Sequence, residues 1–219
     1  MAFISVIKQN VKKCIRIFEN VTIKNFRKLL LKDKSFSIIS NNCWGGFIYQ
    51  YFGLEYTSPF TGLFIFSKDY LKLLNDLKKY MNMELNFINP EETKYKNELL
   101  SFGTYKKYPI GILEDIEIHF LHYEDNKIAT EKWERRKRRI NYDNLIIKYC
   151  DRDLATDDDI KRFSELSYTK KVALTAKKYP YRCCIKLKNE DGEYVMNEWE
   201  NFIKTVNIIK FINNKKWEW

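Results

Sequence analysis

From Ser35 onward, short apolar runs alternate with stretches of helical period, and few architectures can bury such a pattern. Residues 36–40 read as a strand. The turn Asn41-Asn42-Cys43-Trp44-Gly45-Gly46 breaks it, and a helix follows through 47–52. Residues 62–66 predict a second strand, after which Ser67 caps a helix over 68–80 with Leu71, Leu74 and Leu77 as its stripe. Residues 85–88 form a short strand, and 108–112 with 116–122 flank a turn as a hairpin or as two neighbouring strands. Further on the spacing predicts a helix over 127–140, a strand over 145–149, a Thr156-capped helix over 157–166, strands over 171–175 and 182–187, and helical material from 198 to 213. This alternation predicts an α/β fold with a largely parallel sheet. No linker rich in Pro, Gly or Ser divides it and no repeat is visible, so 35–219 read as a single α/β domain.

Residues 1–34 are different. Phe3, Ile7, Val11, Ile15 and Phe18 recur at helical spacing with Lys8, Lys12, Lys13 and Arg16 between them, which predicts a basic amphipathic helix over 3–31. It either packs on the body with a solvated lysine face or docks on an anionic membrane surface. Of the formal net charge of +10, this segment holds nine Lys/Arg against Glu19 and Asp33, leaving the rest of the chain nearly balanced. The 30 lysines against 9 arginines reflect AT-rich coding, whereas phosphate and base recognition favours the forked guanidinium, so nucleic-acid binding ranks last. No uncharged apolar run approaches the roughly 18 residues of a membrane span. The opening MAFISVIKQNVKKC lacks the order of a secretion signal, and the five cysteines lack framework or zinc spacing. A cytoplasmic protein with free thiols, peripheral to the inner membrane face if the basic helix docks there, is the expectation.

In an α/β sheet, ligands bind beyond the carboxyl ends of strands. After the first strand, Cys43 stands near a helix N-terminus with Asn41, Asn42, Trp44, Gly45 and Gly46 around it. Free amides and the helix dipole there would lower a thiol's pKa and hold an oxyanion or substrate, as a nucleophilic cysteine requires; a buried cysteine in a capped turn is the bland reading. After 145–149 come Cys150-Asp151-Arg152-Asp153, whose Asp151 and Asp153 could hold a divalent metal against a diphosphate beside Arg152, or serve only as a helix-capping segment. Asp115-Ile116-Glu117-Ile118-His119 alternates so that Asp115, Glu117 and His119 share a face. His119 and His122 are the chain's two histidines, and beside two carboxylates they offer either a general base with its orienting partner or metal ligands; His119 is the preferred base, with Glu117 or Asp115 fixing its tautomer. Finally, four of the nine arginines fall within 135–139. Helical spacing groups Arg135, Arg138 and Arg139 with Arg136 elsewhere, so Arg135 and Arg139 could clamp a phosphate unless the face is merely solvated.

These segments, together with Ser58-Pro59-Phe60-Thr61-Gly62, Tyr108-Pro109-Ile110-Gly111 and Lys132-Trp133-Glu134-Arg135-Arg136, resemble a family of uncharacterised bacterial proteins usually labelled exopolysaccharide (capsule) biosynthesis protein. The resemblance spans about 35–212, leaving the basic helix outside, and implies an α/β fold among the glycosyltransferases and acyltransferases of surface-polysaccharide assembly. It supplies no catalytic residues.

The reading that results is a transferase on a polysaccharide precursor or sugar. Acyl transfer from acetyl-coenzyme A would use Cys43 with His119 or His122. The alternatives are a glycosyltransferase using a divalent metal and a sugar nucleotide through Asp151 and Asp153, and a non-catalytic scaffold held to the membrane by residues 1–34.

Overall fold

A computed structural model of the protein describes residues 21–214. The expected helix over 3–31 falls largely outside the described residues; within them, 21–29 are helical.

Four strands, β1 (Ser37–Ser40), β5 (Leu145–Cys150), β6 (Lys171–Thr175) and β7 (Cys184–Lys186), form a parallel sheet in the order β1-β5-β6-β7. Their apolar runs are continuous because helices cover both faces. Ile39, Ile147 and Ala173 point into one core with side chains of α2 (Ser67–Asn75), α3 (Leu77–Asn82), α5 (Asn126–Lys137) and α6 (Asp157–Glu165). Ile38, Ile146, Val172 and Leu174 point into the other, against α1 (Trp44–Phe52), α7 (Glu198–Thr205) and α8 (Ile208–Asn213). The result is a three-layer α/β/α arrangement, in keeping with the fold class that the pattern predicts.

A second sheet, not foreseen as separate, holds β2 (Asn86–Ile88), β3 (Ile110–Leu113) and β4 (Ile116–His119), all antiparallel in the order β2-β3-β4. The choice left open between a hairpin and two neighbouring strands resolves as a hairpin, turned at Glu114 with φ of 57°. A short α4 (Lys96–Ser101) lies between β2 and β3 in sequence.

Four expectations change. Ser67 does not cap its helix but is its first residue, with Phe66 at the N-cap position, and its hydroxyl bonds instead with that of Tyr149. Residues 62–66 form no strand; Phe64 makes a single antiparallel bridge to His119, and the Ile65 N–H donates to the Asn41 carbonyl at 2.9 Å, so the segment ties one sheet to the other. Pro59 precedes it and Gly62, at φ of 73°, opens it, and both interrupt extended pairing. The helix expected over 68–80 is two, split at Asp76, whose side chain accepts from the Lys79 N–H at 3.3 Å and starts α3. α1 begins at Trp44, three residues earlier than its apolar run suggests.

Candidate functional site

A cleft of about 690 Å³ opens at the carboxyl ends of β1 and β5. Its walls are the turn into α1, the segment 151–155 after β5, the loop at Tyr194 and Met196 with the first residues of α7, and the rings of Phe64 and Phe102. The outer wall is held by two carboxylates. Asp151 accepts from the Ala176 N–H at 2.7 Å and the Val195 N–H at 2.9 Å, one through each oxygen. Glu190 accepts from the N–H groups of Met196 at 2.9 Å and Asn197 at 2.8 Å and from the Asn201 amide at 2.8 Å. Arg152 adds a bond to the Met196 carbonyl at 3.3 Å. Asp151 is thus committed to the backbone of two loops, and Asp151 with Asp153 does not present the pair of free carboxylates that a metal-diphosphate site needs. Among the described residues no three His, Cys, Asp or Glu side chains gather as a metal-holding group.

Beneath the cleft lies a residue that the sequence reading passed over. Lys148, wholly buried in β5, is ion-paired with Glu198 and donates to the side-chain oxygens of Asn41 at 3.3 Å and Asn42 at 2.9 Å. The Asn42 amide in turn donates to Glu198 at 2.7 Å. A lone charge inside the run Leu145-Ile146-Ile147-Lys148-Tyr149 was the available signal, since a lysine is almost never buried without a partner. Asn41 and Asn42 therefore serve this network, and Asn42 also caps α1 by accepting from the Trp44 N–H at 3.1 Å.

Asp153 sits where the chain turns out of the sheet. It and Leu154 both have positive φ, 57° and 67°, a costly pair for non-glycine residues that is held by the Ser67 N–H donating to the Asp153 carbonyl at 3.0 Å. Burial pushes the Asp153 carboxyl up to about 6, against the pull of Arg152 and Lys148 and with Glu198 adding to the rise. A carboxyl lining a cleft and titrating near neutrality suits acid–base work.

Cys43 lines the cleft too, at the N-cap of α1. The expected lowering by the helix N-terminus is outweighed: burial pushes the thiol up to about 11, and Sγ–H points to the Leu63 carbonyl 3.8 Å away. The two glycines beside it face protein. A Cβ on Gly45 would come within 3.0 Å of Ile38 Cγ2, so glycine here lets α1 lie close on β1. Trp44 is buried edge-on against Phe202, ring centroids 5.1 Å apart.

The histidines part company. His119 is fully buried, stacked on Phe64 at 4.6 Å between centroids and edged by Phe66, Tyr95 and Tyr108. Desolvation, with Lys94 adding to it, lowers its pKa to about 3, and neither ring nitrogen has a hydrogen-bond partner. Glu117 stays 3.7 Å from Nε2 and spends its oxygens on the Thr93 hydroxyl at 2.5 Å and the Lys94 N–H at 2.9 Å. Asp115 pairs with Lys72. His119 therefore does not meet Cys43 in the cleft, as a Cys–His catalytic pair would have to, because Phe64 lies over it. His122 is exposed and lines a separate, smaller cavity on the other side of Cys43. Of the arginines, Arg135 is exposed, and Arg139 pairs with Glu55 at 2.7 Å and reaches the Tyr56 carbonyl at 3.4 Å. Arg136, set apart by the helical-spacing argument, is the buried one.

No helix among the described residues is long and apolar enough to cross a membrane. A protein of Haemophilus influenzae described as uncharacterised is 37% identical over 174 residues, covering 80% of this chain and 76% of the relative. Residues 14–218 match a family described as a domain of unknown function, DUF1919, so the likeness reaches further towards the N-terminus than the motifs alone suggested. The chain belongs to the DUF1919 family.

Proposed function

We propose that the protein is a transferase of bacterial surface-polysaccharide assembly, which seats a sugar in the cleft and activates one of its hydroxyls with Asp153. The observation that carries this reading is the Asp153 carboxyl, raised to about 6, in a cleft bordered by the rings of Phe47, Phe64, Phe102, Tyr194 and Trp199. Rings of this kind stack on the apolar C–H faces of a pyranose, while a few polar groups fix its hydroxyls. In this reading the donor is acetyl-coenzyme A. Asp153 carboxylate takes the proton of the sugar hydroxyl, the oxygen attacks the thioester carbonyl, the C–S bond breaks, and the coenzyme thiolate leaves and takes up a proton. With its thiol pushed up to about 11, Cys43 is a wall of the site and no acyl carrier.

The test is acetyl-coenzyme A turnover on a panel of polysaccharide-precursor sugars, with the release of free thiol followed. Asp153→Asn is expected to lower kcat at least a hundredfold and Cys43→Ala to lower it less than fivefold. Full activity in Asp153→Asn overturns the base assignment. Loss of activity in Cys43→Ala with a trapped acyl-enzyme restores the nucleophilic cysteine.

A further inference from the structure

The second cavity, of about 270 Å³, shares Cys43 with the cleft and is lined on its far side by Gln50, Tyr56, His122, Lys132 and Arg136. Arg136 is only 8% exposed. Its Nη1 donates to the Thr61 hydroxyl at 2.7 Å and the Tyr123 hydroxyl at 2.6 Å, and its guanidinium carbon lies 4.7 Å from the Tyr56 ring centroid. All three partners are neutral. Among the described residues no carboxylate pairs with Arg136: Glu55, on the loop that carries Tyr56, is taken by Arg139, and Glu134 by Lys137. A buried cation without a counter-charge is costly, and a fold tolerates it where a ligand supplies the missing charge. Lys132 stands over the Tyr123 ring at 5.2 Å and contributes a second cation to the same cavity.

We infer that this cavity is an anion site that takes a phosphoryl group, with Arg136 as its buried fork and Lys132 and His122 at its mouth. The planar guanidinium offers paired N–H donors matched to phosphate oxygens, and the ammonium adds charge without fixed direction. Gly62 shapes the floor. It adopts φ of 73°, its carbonyl accepts from the His122 N–H at 3.0 Å, and a Cβ there would press to 3.2 Å on the Tyr123 ring. The assignment rests on Arg136 and its surroundings, independent of the chemistry proposed for the cleft.

Binding of inorganic phosphate to the full chain is measured by calorimetry and by melting temperature, at ionic strength matched with chloride. Glucose 1-phosphate and ADP serve as parallel probes that distinguish a sugar phosphate from a nucleotide. Saturable binding with a rise in melting temperature is expected, weakened tenfold or more in Lys132→Glu and in Arg136→Lys, which keeps the charge and loses the fork. Lys132 is only partly buried, so its variant reports even if Arg136 variants fail to fold. Asp153→Asn, outside this cavity, should bind phosphate as wild type does, which separates failure here from failure of the cleft reading. No saturable binding of any of the three probes, or equal binding by wild type and Lys132→Glu, overturns the site.

Discussion

Lys148 and Glu198 form a buried ion pair that joins the middle of the parallel sheet to the first residue of α7. Removing one member leaves the other charged and unpaired. Lys148→Met should lower unfolding stability by about 3–5 kcal/mol in urea titration, and the double variant Lys148→Met, Glu198→Leu should lose clearly less than the two single losses combined. Equal and additive losses would show that the pair does not act as a unit.

Asp153 should make the protein lose stability as pH rises. Its carboxyl is raised from 3.8 to about 6, so between these values the folded chain holds a proton that the unfolded chain has released. Stability from this group is full below pH 4 and declines towards pH 6, by on the order of 2 kcal/mol. Asn at this position should flatten that slope in melts across pH 4–7.

His119 acts in the opposite sense. With its pKa lowered to about 3, the folded imidazole stays neutral where the unfolded one charges, so stability is full above pH 6.5 and is lost as pH falls towards 3. His119→Phe removes a buried ring with two unpartnered nitrogens from an aromatic nest. The variant should be as stable as wild type or more so at pH 7, lose the acid-side decline, and keep whatever turnover the wild type shows in the proposed acetyl-transfer assay. A kcat reduced a hundredfold with an intact fold would give His119 the catalytic part denied it above.

Alkylation should find Cys43 slow. Its thiol, moved from 9.0 to about 11, has roughly a hundredfold less thiolate at neutral pH than an unperturbed one. Iodoacetamide labelling at pH 7.5, resolved peptide by peptide in mass spectrometry, should show this lag. Labelling of Cys43 at the rate of a free peptide thiol would mean that the helix N-terminus prevails after all.

Gly45→Ala should destabilise, although alanine is normally the better helix former by about 1 kcal/mol. The added methyl meets Ile38 Cγ2 at 3.0 Å, and both groups sit in a packed layer. A thermal melt that moves upward would contradict this.

The α/β class and most elements were legible because period and capping are local. Thr156, for instance, makes the capping box with Asp159 that its sequence announces. What escaped is non-local. Residues 62–66 have a strand's composition, but the Ile65 N–H is taken by Asn41 and Phe64 pairs only with His119. The site behaved in the same way. The turn at Asn41–Gly46 and the acidic exit of β5 were found as the ends of strands and do line one cleft. Proximity in sequence said nothing of who would satisfy each charge, so Asp151 proved to be a tie between loops, His119 a packed ring, and Arg136 the buried member of its cluster.

Phe47 and Cys43 both border the cleft and the smaller cationic cavity, so part of the partition between the two compartments rests on the small side chain of Cys43. Alanine there would remove part of the partition and glycine more of it. A branched residue would thicken the partition, which makes position 43 a lever on how freely the two compartments communicate.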